Sequence, residues 1–272
     1  MARRKKPKRG KQRLLQLLAA LFLTFLSASL LLTLPFRWLA PPTTAFMLHA
    51  GSAGLGGGQP CPDVDYVWVD REAIAPAMPL AVIAAEDQRF PHHWGLDTGA
   101  IASALQERLT NGRGRGASTL SQQLVKNLYL WPDQSWLRKG VEAWLTVLLE
   151  LTWSKQRILE VYLNVVQFGE CTFGVQAASR RFFQKNAAAL SDRQAARLAA
   201  VLPGPVIYRV DRPGEYVRQR TDWILEQMKQ LGGNAYLRLL SATEHAETVR
   251  NPIKMTENFT LFRGLNGQKL DN

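Results

Sequence analysis

The sequence predicts a mainly α-helical protein carried on one N-terminal transmembrane helix. Three observations lead there. An uncharged apolar run follows a strongly basic tail; helical spacing and capping signals dominate from Tyr66 to about Val249; and only Tyr66-Val67-Trp68-Val69 reads as a strand. The 272 residues are 46% hydrophobic with two cysteines, which excludes a fully disordered chain and a disulfide scaffold. The formal charge of +12 is uneven: residues 1–62 carry +9, eight of those cations lie within residues 1–13, and the remaining 210 residues carry +3. The basicity belongs to a tail, so the charge does not call for a nucleic-acid partner.

Leu14 to Leu34 holds no charge and only five polar interruptions. At the helical rise its 21 residues span about 31 Å, the depth of a bilayer's hydrocarbon core. A cleavable signal has a shorter apolar stretch with a small-residue site behind it, whereas Pro35, Phe36, Arg37 and Trp38 follow here. The segment therefore reads as an uncleaved anchor, and the Lys/Arg cluster keeps the N-terminus cytoplasmic. Residues 35–62, rich in Gly and Pro from 41 onward, read as a juxtamembrane linker. Within it Phe46-Met47-Leu48 is an apolar patch that either packs as ordinary linker or docks on the bilayer, with the second favoured.

The globular part is expected over 63–249. Thr98 caps a helix through Arg108-Leu109, ending in the loop Asn111-Gly-Arg-Gly-Arg-Gly116. Ser118 or Thr119 opens the next helix, where Leu120, Leu124 and Leu128 form a core stripe, so that Gln122, Gln123 and Lys126 project toward a face open to substrate. Arg138–Leu151 and Lys155–Asn164 are further helices. Ser191-Asp-Arg-Gln194 is a capping-box pattern opening a helix stopped at Pro203-Gly204-Pro205. Val217, Ile224, Met228 and Leu231 mark another, stopped by Gly232-Gly233, and the segment after Arg250 reads as a polar, frayed tail. Cys61 and Cys171 either pair or remain free thiols; spacing alone decides nothing.

No zinc-type spacing, phosphate loop or dinucleotide fingerprint occurs. What remains is a set of polar groups set against apolar helices. Ala81-Val-Ile-Ala-Ala85 runs directly into Glu86-Asp87, and a carboxylate ending an apolar segment is partly desolvated, which raises its pKa toward that of a useful base. Glu142 lies one turn after Arg138, a spacing that by itself makes a surface ion pair. His93 alone reads as a structural histidine, and Lys126, Arg138 and Lys139 alone read as a solvated face.

Together these residues form four ordered motifs. They are Glu86-Asp87-x-x-Phe90-x-x-His93-x-Gly95-x-Asp97; Gly116-x-Ser118-Thr119-x-x-Gln122-Gln123-x-x-Lys126-Asn127; Arg138-Lys139-x-x-Glu142; and Lys155-x-x-Ile158-Leu159-Glu160-x-Tyr162-Leu163-Asn164. In this order they resemble the peptidoglycan glycosyltransferase family, the polymerase module of class A penicillin-binding proteins. With no further domain visible before Asn272, the chain is similar to the family's monofunctional biosynthetic branch.

The resemblance implies a lysozyme-like helical fold facing the periplasm, with lipid II and the lipid-linked nascent glycan as substrates. By resemblance Glu86 is the base for the GlcNAc 4-OH and Glu142 the second essential carboxylate. Lys126, Arg138 and Lys139 would bind pyrophosphate. Asp87, Phe90, His93, Ser118, Thr119, Gln122, Gln123 and Asn127 would shape the sugar and donor sites. The loop 111–117 is expected to gate the donor side. No cofactor is required on this reading, with a divalent cation (Mg or Mn) left open, and no protein metal site is expected. Further expected partners are the membrane and wall-synthesis or division proteins, with no nucleic acid. Members of the family this chain resembles often carry Arg at the position of Gln134; if that arginine holds pyrophosphate, the resemblance implies that this chain relies more on its other cations or on a divalent metal. A catalytically silent scaffold would be expected to lose the base or the cations. A lytic enzyme does not explain cations matched to a pyrophosphate.

Overall fold

The computed structural model describes residues 9–53, 59–111, 116, 118–133 and 135–240. The basic tail to residue 8, most of the loop 111–117, Gln134 and everything after 240, including the tail, lie outside the described residues. Ten helices are labelled among them: α1 (Arg9–Thr33), α2 (Ala45–Ala53), α3 (Ala77–Glu86), α4 (Thr98–Asn111), α5 (Leu120–Tyr129), α6 (Trp136–Thr152), α7 (Lys155–Val165), α8 (Val175–Phe183), α9 (Asp192–Val201) and α10 (Glu215–Gln230). The strands are short: β1 (Asp65–Tyr66), β2 (Gln167–Gly169) and β3 (Thr172–Phe173), ordered β1-β3-β2, with β1 parallel and β2 antiparallel to β3.

Helix α3 is the axis of the domain. Its sequence AMPLAVIAAE is apolar all round, which fits only a helix packed on every side. Seven of its residues, from Ala77 to Ala84, are buried, and α9 and α10 flank it. Glu86 is its last residue, so a carboxylate is delivered at the end of a largely buried apolar helix.

Two features of the anchor emerge only in three dimensions. Helix α1 begins earlier than Leu14 and stops at Thr33, after which Leu34–Arg37 forms a 3₁₀ turn. Gly10–Arg37 is long and apolar enough to cross a membrane. Its last turns are fastened to the domain: Trp144 Nε1 donates to Ser29 Oγ (3.1 Å), Trp153 Nε1 to the Thr33 carbonyl (3.2 Å), and Arg157 to the carbonyls of Phe36 and Leu39. The polar interruption Ser29 is thus a contact with the domain, while the Thr33 hydroxyl donates within α1 to the Ser29 carbonyl (2.9 Å).

Several expectations are corrected. Residues 35–62 are not simply a linker, because α2 packs on the core: Met47 and Ala50 are buried and only Leu48 of the apolar patch is exposed. Cys61 and Cys171 form a disulfide. Asp97, not Thr98, caps α4, accepting from the Ala100 amide at 3.0 Å. The strand expected over 66–69 is confined to Asp65–Tyr66, while Val69 exchanges backbone bonds with the Asn164 side chain. The β2–β3 hairpin and α8 were not foreseen. Gly232 and Gly233 do stop α10 with positive φ, yet the chain turns helical again over 234–240. The capping box at Ser191 is formed as expected.

Candidate active site

Glu86 stands where α3, α5, α7 and α10 meet. Gln123 on α5 donates from Nε2 to Glu86 Oε2 at 2.9 Å, and the hydroxyl of buried Tyr162 on α7 donates to Gln123 Oε1 at 2.8 Å. This relay fixes the amide's orientation and so aims its N–H at the carboxylate. Burial pushes the Glu86 pKa up; the Gln123 hydrogen bond and the charges of Arg220 and Lys126 oppose the shift, and Asp87 adds to it. The expectation of a desolvated carboxylate therefore rests on real surroundings.

Asp87, the next residue, faces inward. Its carboxylate bonds His93 Nε2 (2.9 and 3.0 Å) and accepts from the Leu120 amide at the start of α5 (3.0 Å). His93 Nδ1 accepts from the Gly95 amide, so the ring proton sits on Nε2 and points at Asp87. Thr119 and Gln122 form a capping box on α5, and Thr119 Oγ1 also donates to the Gly95 carbonyl at 2.5 Å. Phe90 is fully buried, with the Lys155 ammonium 4.5 Å from its ring centre. These contacts give a structural task to residues expected to shape the sugar sites. Asp87, Phe90, His93, Thr119 and Gln122 are committed to holding the end of α3 against the start of α5. Ser118 is exposed, Asn127 is buried, and Gln123 alone of the two glutamines turns toward the carboxylate.

A second cluster is built on α6. Ser135 caps that helix, accepting from the Arg138 amide, and the cap presents Arg138, Lys139 and Glu142 on one face. The i, i+4 pair is buried, contrary to what its spacing suggests: Arg138 Nη1 lies 2.9 Å from Glu142 Oε2, and Lys139 engages Oε1. Both oxygens of Glu142 are therefore held by cations. Arg138 Nε is buried and finds no hydrogen-bond partner among the described residues. Lys126 projects from α5 into the same region. Burial lowers its pKa, Glu142 and Glu86 counter that, and Arg138 and Lys139 reinforce it.

Lys126 and Arg138 open onto a cavity of about 440 Å³, bounded also by Phe46, Asp133, Gln167 and the stretch from Pro203 to Ile207. Two cations lining one cavity can stabilise an anion there. Lys126 electrostatically couples this cavity to Glu86. Among the described residues no three His, Cys, Asp or Glu side chains converge on a metal position. Both Glu142 oxygens are engaged by Arg138 and Lys139, so this carboxylate is not free to ligate Mg or Mn.

Three contributors escaped the sequence. Arg220 sits in a charged helix that reads as solvated surface; Phe46 and Gln167 carry no motif. Tyr162 was visible as part of a motif, but not as the residue that orients Gln123.

A family model described as transglycosylase matches residues 61–229. The biosynthetic peptidoglycan transglycosylase of Pseudomonas putida (strain W619) is 50% identical over 230 residues, covering 85% of this chain and 97% of that protein. That of Xanthomonas campestris pv. campestris (strain B100) is 48% identical over 231 residues, covering 85% and 94%.

Proposed function

The chain belongs to the transglycosylase family, and on that footing we propose that it polymerises glycan strands from lipid II at the outer face of the cytoplasmic membrane. It is an enzyme of the glycosyltransferase class, a peptidoglycan transglycosylase with a helical, lysozyme-like domain and an N-terminal apolar helix. The observation that carries the finer reading is the division of labour in the site. One desolvated carboxylate, Glu86, is held by a neutral amide, while the other, Glu142, has both oxygens tied to cations beside an anion-sized cavity.

In this mechanism Glu86 accepts the proton of the acceptor GlcNAc 4-OH as that oxygen attacks C1 of the lipid-linked donor. The C1–O bond to pyrophosphate breaks, its electron pair leaves with undecaprenyl pyrophosphate, and the α-linked donor becomes a β-1,4 link by inversion. Pyrophosphate is a good leaving group and needs charge stabilisation more than a proton. Lys126, Arg138 and Lys139 provide it, each charge-assisted bond contributing roughly 1.5–3 kcal/mol. Glu142 acts by holding Arg138 and Lys139 in place. Asp87, His93, Thr119 and Gln122 position the base through the α3–α5 junction, and Ser118, Gln123 and Asn127 remain the candidates for direct sugar contact.

We read 14–34 as the span and 63–249 as the catalytic domain, to which α2 is now added. The basic N-terminus supports a cytoplasmic start, and the Cys61–Cys171 disulfide supports an oxidising compartment for the domain. Both substrates carry lipid tails, so tethering confines enzyme and substrate to one surface. Wall-synthesis proteins are further candidate partners.

The test is polymerisation of labelled lipid II in detergent by the wild type and Glu86→Gln. A ladder from the wild type that the variant does not make supports the reading. Wild-type protein that binds lipid II without making product favours a silent scaffold, and shortening of preformed glycan favours a lytic enzyme.

A further inference from the structure

The cavity beside Lys126 has a wall that neither the motifs nor the family domain supplies. Phe46 belongs to α2, upstream of the matched residues 61–229. Its ring centre lies 5.5 Å from the Lys126 ammonium, and it bounds the same cavity as Arg138. Gln167 of β2 lines the same cavity, and its amide donates to the Glu170 carbonyl (3.0 Å) in the β2–β3 hairpin.

Helix α2 is held with unusual thoroughness for a juxtamembrane segment. Thr44 Oγ1 accepts from the Met47 amide (3.1 Å), and Met47 and Ala50 are buried in the core. The Cys61 amide donates to the Ala50 carbonyl (2.9 Å), the Gln59 amide to Glu170 Oε1 (2.9 Å), and the Asp65 amide to the Cys171 carbonyl (2.9 Å). The disulfide joins Cys61 to Cys171 in that same hairpin. It therefore ties the wall bearing Phe46 to the wall bearing Gln167.

We infer that Phe46 is a substrate-positioning residue for the donor's pyrophosphate, held at the cavity by the Cys61–Cys171 tie. The inference rests on the polymerase reading above and adds a residue and a tie to it. An aromatic face supports an ammonium without consuming its N–H donors, as a carboxylate would. The ring covers one side of the Lys126 ammonium and leaves its donors available to an incoming anion. A dehydrated cation also needs less reorganisation when that anion arrives.

The experiment uses full-length protein in detergent, with lipid II as substrate and inorganic pyrophosphate as competitor. Phe46→Leu should raise the KM for lipid II and the pyrophosphate inhibition constant together by about three- to ten-fold, with the melting temperature and kcat little changed. Phe46→Trp, which keeps an aromatic face, should restore both. The double variant Cys61→Ala/Cys171→Ala should shift both constants the same way, as should cleavage of the wild-type disulfide to thiols by a phosphine; phosphine should add nothing to the double variant. Unchanged constants in Phe46→Leu overturn the role of the ring. A lowered melting temperature with unchanged constants in the cysteine variant overturns the tie. Either result in a wild type that still polymerises lipid II leaves the polymerase reading standing, whereas an inactive wild type removes that reading first.

Discussion

Arg220 Nη2 donates to the carbonyl oxygen of Ala85 at 2.9 Å, so a cation from α10 caps the chain one residue before Glu86. The last carbonyls of a helix lack intrahelical donors and carry the negative end of its dipole, and a guanidinium satisfies both. Arg220 is steadied on its other side by the Trp223 ring, 4.1 Å from the guanidinium carbon. The same side chain thus fixes the end of α3 and places positive charge where Glu86 feels it.

Removing that charge by Arg220→Met should push the Glu86 pKa higher still. A base works deprotonated, so the acid limb of the rate profile moves to higher pH, and activity near neutrality falls more than the alkaline plateau. Arg220→Lys should restore most of the limb's position. Initial rates of polymerisation across pH check this; a lowered plateau with an unmoved limb would assign Arg220 a purely structural part.

Glu86→Gln should abolish polymerisation and yet stabilise the protein at neutral pH. Burial raises the folded pKa of Glu86 above its unfolded value, so the native state holds that proton more tightly. Its contribution to stability is therefore full below the ordinary carboxylate range and is lost as pH rises through the raised pKa. Thermal melts of both proteins should show the variant ahead at pH 7, with the gap narrowing as pH falls through the raised pKa and closed by the ordinary carboxylate value of 4.5.

Glu142→Ala leaves Arg138 buried without its partner, and the expected loss is about 3–5 kcal/mol. Replacing the pair together, Arg138→Met with Glu142→Leu, should cost much less in stability while still removing activity. Urea melts of the two singles and the double variant separate the pair's structural from its catalytic contribution.

Gly174 is required by backbone geometry. Its φ is +81°, and a Cβ there would sit 2.3 Å from the Asn164 carbonyl oxygen. Gly174→Ala should therefore destabilise by more than the roughly 1 kcal/mol of a positive-φ penalty alone, about 2–4 kcal/mol in all, read from a denaturant melt.

Much of the fold was legible because local chemistry carried it. The capping boxes at Thr119 and Ser191, the apolar run of α3 and the anchor's length each declare an element without reference to anything distant. The linker was misread because Gly and Pro around α2 outweigh its short apolar stretch, and burial of Met47 and Ala50 depends on a surface contributed more than seventy residues later, by α5. His93 and Glu142 show the same limit. Their residue types and spacing fit either a surface or an interior, and only packing decides which.

The sequence by itself determined which chemical groups this protein owns and the order in which its helices present them: a carboxylate closing an apolar helix, cations on two later helices and a membrane anchor ahead of them. The tertiary structure alone decided what those groups can do. Gln123, Tyr162 and Arg220 converge on Glu86 from three helices, and Phe46 and Gln167 wall the cavity of Lys126. A pKa or a cavity is a property of neighbours in space. Desolvation and Coulomb terms are set by distances of a few ångströms that sequence separation does not constrain.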